Sequence, residues 1–299
     1  MATPIGETRV TPPPCFQVFA RHFHLGPPSR AIPLPVWYRQ PRGSRLVPPW
    51  RKLKVTFKDL FSTQSAEYAR FRPTYPDALF TWLASVVPGR ACAVDVATGN
   101  GQAAVALAPY FDRVIATEPS AAQLCEARVH PGVEYRQEAA EAIAVAAGAA
   151  DLLTAAQAAH WFDWPRFCVE AARVLRPGGV LAVWSYGYGR VGPAIDRLIA
   201  DFSRDVVGPY WPRERRHVEE AYRDLVLPFP LIDAPDFEMQ THWDAGAMLD
   251  YLDTWSAVRR CRARTGRDPL RLLAAPLANA WGDGSRDMRW PLTFRAGRA

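Results

Sequence analysis

Two acids spaced around a glycine turn carry the clearest chemistry in this 299-residue sequence. In Ala93 to Ala104, AVDVATGNGQAA, Asp95 interrupts a short apolar run, and Gly99 and Gly101 follow it closely. A second apolar run, Arg113 to Glu118, ends in an acid. Glycines in such a turn let a backbone approach a ligand, and a helix that opens there offers unpaired N–H donors. An acid closing the next strand is placed to bind ribose hydroxyls. The spacing Gly99-x-Gly101-x-x-Ala104 also satisfies the relaxed dinucleotide fingerprint, which tolerates alanine at its last place. Asp95 helps to separate the two readings, because a negative charge there disfavours a pyrophosphate and suits an ammonium group.

These residues need a scaffold, and the pattern predicts one. Ala93–Val96 reads as a buried parallel strand, 98–101 as the turn, and 102–108 as a helix of good formers. Further strands are expected at 113–118, 133–136, 150–155 and 180–184, separated by helices near 77–87, 120–129 and 165–174. Ser120 is a good N-cap, and Pro177-Gly178-Gly179 follows the third helix as a stop. Strands alternating with helices at this spacing predict a parallel, doubly wound sheet. Before it, 61–70 can form a short helix that brings Tyr68 and Arg72 onto one face, either as a lid over a ligand carboxylate or as an ordinary packed helix. Beyond residue 188 the text turns helical and aromatic. Helices are expected at 191–206, 214–225, 245–263 and 269–281, a sixth strand at 237–243 and a last one at 288–295.

Composition bounds the rest. Residues 1–54 hold nine Arg/Lys against one acid and 11 of the 28 prolines, whereas the remainder has 27 basic against 29 acidic residues. The basic balance therefore belongs to the tail, and the near-neutral body gives no support for a nucleic-acid partner. The tail is expected to be disordered. It looks more like over-called sequence upstream of an alternative start at Val55 than a targeting peptide. No run of 18 apolar residues suggests a membrane span. Five scattered cysteines without a CxxC motif suggest reduced thiols and a cytoplasmic setting. No Cys/His spacing predicts a metal site.

In order, the motifs AVDVATGNGQAA, VIATEPS, AAQAAHWFDW, RVLRPGGVLAVWSYG, GPYWPRERRHVEEAYRDL and LDTWSAV resemble small-molecule class I methyltransferases that use S-adenosylmethionine (AdoMet), of the methyltransferase-11 and trans-aconitate methyltransferase-like kind. The resemblance spans about 57–299 and departs at Ala97, where many relatives carry glycine. It implies a Rossmann-like seven-stranded α/β sheet with an antiparallel last strand. It divides the chain into a tail (1–54), an AdoMet-binding core (55–188) and a helical substrate cap with the final strands (189–299). It implies that Tyr68, Arg72, Asp95, Ala97, Gly99, Gly101 and Gln102 meet the methionine part. Glu118 would take the ribose beside Pro119 and Ser120, Ala140 and Glu141 would lie near adenine, and Gln157 to Trp161 would face the sulfonium. His160, with Trp161 beside it, is a base candidate or an aromatic-stacked wall. Tyr210, Trp211 and Trp255 would line an acceptor pocket, with Arg215 and Arg216 either clamping a carboxylate or facing solvent. The expected activity is methyl transfer to a small molecule, possibly a carboxylic acid, by a monomer or weak dimer without a nucleic-acid or membrane partner. An NAD(P)-dependent oxidoreductase and a non-catalytic AdoMet-binding regulator are the rivals.

Overall fold

The computed structural model describes residues 73–299. The proline-rich tail, the short helix expected at 61–70, Tyr68 and Arg72 lie outside the described residues. Helix α1 (Asp77–Val86) leads into β1 (Ala93–Val96), α2 (Gln102–Leu107), β2 (Val114–Thr117), α3 (Ala121–Cys125) and β3 (Val133–Arg136). Then come β4 (Ala150–Ala156), α4 (Trp164–Val174) and β5 (Leu175–Tyr186). The segment beyond residue 188 supplies α5 (Pro193–Asp201), α6 (Arg215–Glu219), β6 (Glu238–Trp243), α7 (Ala245–Asp253), α8 (Ser256–Thr265) and α9 (Ala274–Trp281), and β7 (Arg286–Arg298) closes the order.

The seven strands lie in the order β3-β2-β1-β4-β5-β7-β6. β1 to β5 pair in parallel, and β7 runs antiparallel between β5 and β6. The period-two side-chain alternation of strands divides β1 cleanly. Ala93 faces α1 and α2 with Leu79, Phe80 and Leu107, while Val94 and Val96 face α4 with Phe167 and Val174. A third apolar cluster joins the cap helices to Met239, Met288 and Trp290 of β6 and β7. The central strands are buried on both faces, which is why their sequence reads as continuous apolar runs rather than alternating ones.

Several element bounds differ from the sequence pattern, each for a local reason. The helix expected at 191–206 ends as α-helix at Asp201 and continues as one wide π-turn, Phe202–Val206. The helix expected at 214–225 stops at Glu219, because Ala221 and Tyr222 both take left-handed backbone. The single helix expected at 245–263 is two, broken where extended Trp255 caps the start of α8. β7 extends well beyond 288–295, pairing with β6 through Arg286 and with β5 through Arg298. α4 ends at Val174 as expected, and Pro177, Gly178 and Gly179, which follow it, lie inside the lengthened β5.

Candidate functional site

The loop from β1 to α2 has an unusual run of left-handed residues: Ala97 at φ +52°, Gly99 at +59° and Gly101 at +82°. Glycine carries no penalty there, but alanine does, about 1 kcal/mol or more. The departure at Ala97 therefore affects the backbone directly, beyond the slightly looser packing expected from its size. Gly101 is also required sterically. A Cβ on it would sit 2.1 Å from the Tyr135 hydroxyl, which reaches from β3 to donate to the Arg128 carbonyl at 2.6 Å. Gly101 then opens α2 with no side-chain cap.

Glu118 ties this loop to the end of β2. Its carboxylate accepts from the Gly99 N–H and the Ser120 N–H, each at 3.0 Å. The Ser120 hydroxyl caps α3 by accepting from the Gln123 N–H at 3.3 Å, and the Pro119 carbonyl accepts from Gln137 at 3.2 Å. Asp95 is fully buried. Its oxygens accept from the hydroxyls of Thr98 at 2.5 Å and Thr154 at 2.7 Å. Burial pushes its carboxyl up to about 6, against the lowering pull of these hydroxyls and of the Ala104 backbone. A buried carboxylate held by hydroxyls and amides fits an added ammonium group, which would restore its charge balance. Near it, Glu118 at the end of β2 is an acceptor-only carboxylate, the chemistry that ribose hydroxyls need. On these observations the donor set fits AdoMet.

Other expected cofactor residues are already engaged with the protein. Gln102 donates to the Pro73 carbonyl at 3.1 Å and so anchors the segment before α1. Gln157 holds left-handed backbone at φ +54°. Its side-chain amide donates to the Tyr186 carbonyl at 3.1 Å and accepts from the Tyr186 N–H at 3.0 Å, stapling the exits of β4 and β5 together. Ala140 is buried under α4, and Glu141 accepts from the Asp163 N–H at 2.8 Å.

A cavity opens where β4 and β5 end, the edge at which open α/β sheets keep ligands. Its lining includes Gln157, His160, Trp161, Tyr186, Trp211, Arg215, Tyr251 and Trp255. The guanidinium carbon of Arg215 stacks 4.0 Å from the centre of the Trp211 ring, with Tyr188 at 4.9 Å and Trp255 at 6.0 Å. Its Nε donates to Glu219 at 3.3 Å. Stacking and that bond orient the side chain, which is only 16% exposed, and leave the two Nη groups as a fork. Arg216 takes no part in this wall: it is 65% exposed, with Glu220 and Asp224 nearby. Tyr210 also lies outside the lining, packed against the cap cluster, with its carbonyl accepting from Arg260.

His160 stacks beside Trp161 with ring centres 4.9 Å apart, and its Nδ1 lies 2.9 Å from the Tyr222 hydroxyl. Burial, reinforced chiefly by the Arg215 guanidinium, pushes the imidazole down to about 3. It is neutral at physiological pH and a weak base. Thr154, Tyr186, Tyr251 and Tyr222 were not singled out from the sequence. Only Thr154, a polar residue within the apolar run ADLLTAA, left a readable signal. Among the described residues there is no group of three or more His, Cys, Asp or Glu suited to a metal, and no helix long and apolar enough to cross a membrane.

Comparison with known proteins fits this geometry. The family described as "Methyltransferase domain" matches residues 94–183. A protein of Dictyostelium discoideum named as a methyltransferase is 34% identical over 229 residues, covering 75% of this chain and 87% of the relative. A solved structure from Anaeromyxobacter dehalogenans, described as a type II methyltransferase, is 45% identical with a TM-score of 0.71, covering 76% of this chain and 97% of that one. A Saccharomyces cerevisiae protein named as an S-adenosylmethionine-dependent methyltransferase is 30% identical over 132 residues, 41% of this chain and 45% of its own. These relatives set the dinucleotide alternative aside. Together with this chain's strand order, glycine loop and acid-tipped strands, they show that the chain belongs to the class I AdoMet-dependent methyltransferases and uses AdoMet as its cofactor.

Proposed function

We propose that this methyltransferase acts on a small-molecule carboxylate, forming a methyl ester. The observation that carries this reading is Arg215, stacked on Trp211 in the cavity wall, with no hydrogen-bond partner for its Nη fork among the described residues. A guanidinium fork matches the two oxygens of a carboxylate, and the aromatic walls around it suit a flat or apolar acid. The neutral His160 agrees with a nucleophile that has no proton to lose.

When bound, AdoMet supplies a methyl group on a positively charged sulfur, which leaves as a neutral thioether. We assign the cofactor's amino-acid part to Asp95 and the left-handed loop 97–101, with Gln102 beside it, and its ribose to Glu118 with Pro119 and Ser120. Ala140 and Glu141 are assigned to the adenine side, and Tyr68 and Arg72 to a covering segment. Arg215 holds the acceptor carboxylate, while Trp211, Trp255 and Tyr251 exclude water around it. Alignment of the reacting atoms, rather than proton transfer, then accounts for the rate. Cys92, Cys168 and Cys261 are free thiols, which agrees with a reducing compartment such as the cytoplasm, and we expect a monomer or weak dimer.

The test uses the full-length chain, AdoMet carrying a labelled methyl group, and a panel of aliphatic and aromatic carboxylic acids. Base-labile label in the product supports the proposal; label only in base-stable products overturns it. Arg215→Gln is expected to raise KM for the acceptor acid roughly 10- to 100-fold, the value of a charged hydrogen bond. Binding of S-adenosylhomocysteine should stay unchanged.

A further inference from the structure

Behind the cavity wall, Tyr222 is fully buried, with its hydroxyl 2.9 Å from His160 Nδ1. The chain reaches that place through two successive left-handed residues, Ala221 at φ +54° and Tyr222 at +53°, neither of them glycine. The Tyr222 N–H donates to the His217 carbonyl at 2.7 Å, five residues back, so the exit of α6 closes one residue wider than an α-turn. Phenylalanine would fill the same core volume without burying a hydroxyl, which is unfavourable unless hydrogen-bonded. The hydroxyl is therefore what the strained exit delivers, and it lies within reach of both His160 and the Ser185 side chain.

We propose that Tyr222 is a positioning residue whose phenol donates to His160 Nδ1, fixing the imidazole as the tautomer that presents Nε2–H to the cavity. Burial raises the phenol above its ordinary value, so it keeps its proton, and the neutral imidazole accepts it. Arg215, His217 and Glu214 are the charged and titratable neighbours of the ring, and Trp161 stacks against it. A protonated His160 would face the Arg215 guanidinium. Arg215 and Val218 share one face of α6 towards the cavity, and the left-handed exit of the same segment carries Tyr222 behind His160, so one short segment sets the guanidinium and the histidine on one wall. Two donors side by side match the two oxygens of one carboxylate, and His160 then orients the acceptor without acting as a base. Only this last step rests on the carboxylate reading.

The tautomer is measured without substrate, on full-length protein labelled with nitrogen-15 histidine, with His160 assigned by loss of its signals in His160→Gln. The expected result is an acceptor-type Nδ1 and a protonated Nε2 between about pH 6 and 8. In Tyr222→Phe the two nitrogens should move towards averaged tautomer positions. A protonated Nδ1 in the unmutated protein overturns the proposal, and that reading stands even if Tyr222→Phe fails to fold. So does an unchanged tautomer in folded Tyr222→Phe. With an identified acid, Tyr222→Phe should raise KM roughly tenfold with kcat little changed, as for one lost hydrogen bond; a fall in kcat at unchanged KM overturns the orienting role. Base-stable methyl products would overturn the carboxylate reading and leave the tautomer result standing.

Discussion

Asp95 shows how a single residue can link folding to ligand binding. Its buried carboxyl is raised to about 6 from an ordinary 3.8. Between those values the native protein binds more protons than the unfolded chain, so this group's contribution to stability is present below pH 4 and lost as pH rises through 6. An ammonium arriving beside it reverses the balance. Affinity for AdoMet is therefore expected to rise through pH 6 and level off, with binding at pH 5 roughly tenfold weaker than at pH 7. Asp95→Asn should bind weakly and without that pH dependence, while the ligand-free variant melts higher than the parent at pH 8. Calorimetric titration and melting curves across pH check both statements; a parallel pH dependence in the variant would rule the assignment out. The strand position of Asp95 and its acid character were legible in AVDVATGNGQAA. Its pairing with Thr154 was not, because the contact joins strands nearly sixty residues apart. The resemblance marked Ala97 as a departure from glycine, but its backbone cost was hidden, since only the loop's φ gives the physical reason.

The π-turn after α5 is an element whose width has a visible purpose. It places buried Ser203 so that its hydroxyl lies 2.5 Å from the Tyr188 hydroxyl and 3.0 Å from the Trp211 indole N–H. Tyr188 and Trp211 are two of the rings around Arg215. Ser203→Ala should therefore lower stability by about 1–2 kcal/mol by leaving both partners unpaired. It should also raise KM for the acceptor while leaving S-adenosylhomocysteine affinity intact. Denaturant melts and acceptor kinetics test this, and an unaffected KM would detach the turn from the site. The sequence suggested one uninterrupted helix here, since no proline or glycine lies between Ala194 and Val207. The same silence hid the end of α6: Ala221 and Tyr222 leave the helix although both residue types can continue one. Tertiary demands, a hydroxyl for Trp211 and one for His160, outweigh local preference at both breaks. The core elements had no such conflict, so β1, β2 and α4 lie close to where the pattern put them.

At the scale of the whole molecule, the cofactor loop and the cavity draw on the same sheet edge, so a bound ligand should stabilise the fold as a unit. S-adenosylhomocysteine at about 100 times its Kd is expected to raise Tm by roughly 5–10 °C for a domain of this size. A thermal-shift series checks this, and no shift at that concentration would contradict the site. The sheet's overall plan was readable because alternating apolar runs and helices restrict connectivity strongly. The pairing partners of β7 were not, since only the finished fold puts it between β5 and β6. That placement has a consequence during synthesis. β5 is complete at Tyr186, but the strand that covers its edge starts about a hundred residues later, at Arg286. At about 5–20 residues per second, the nascent chain leaves the ribosome for roughly 5–20 s with an open, apolar strand edge. Until β7 emerges, that edge depends on the cap segment or on chaperones, and crowded polysomes are where this protein is most exposed to mispairing.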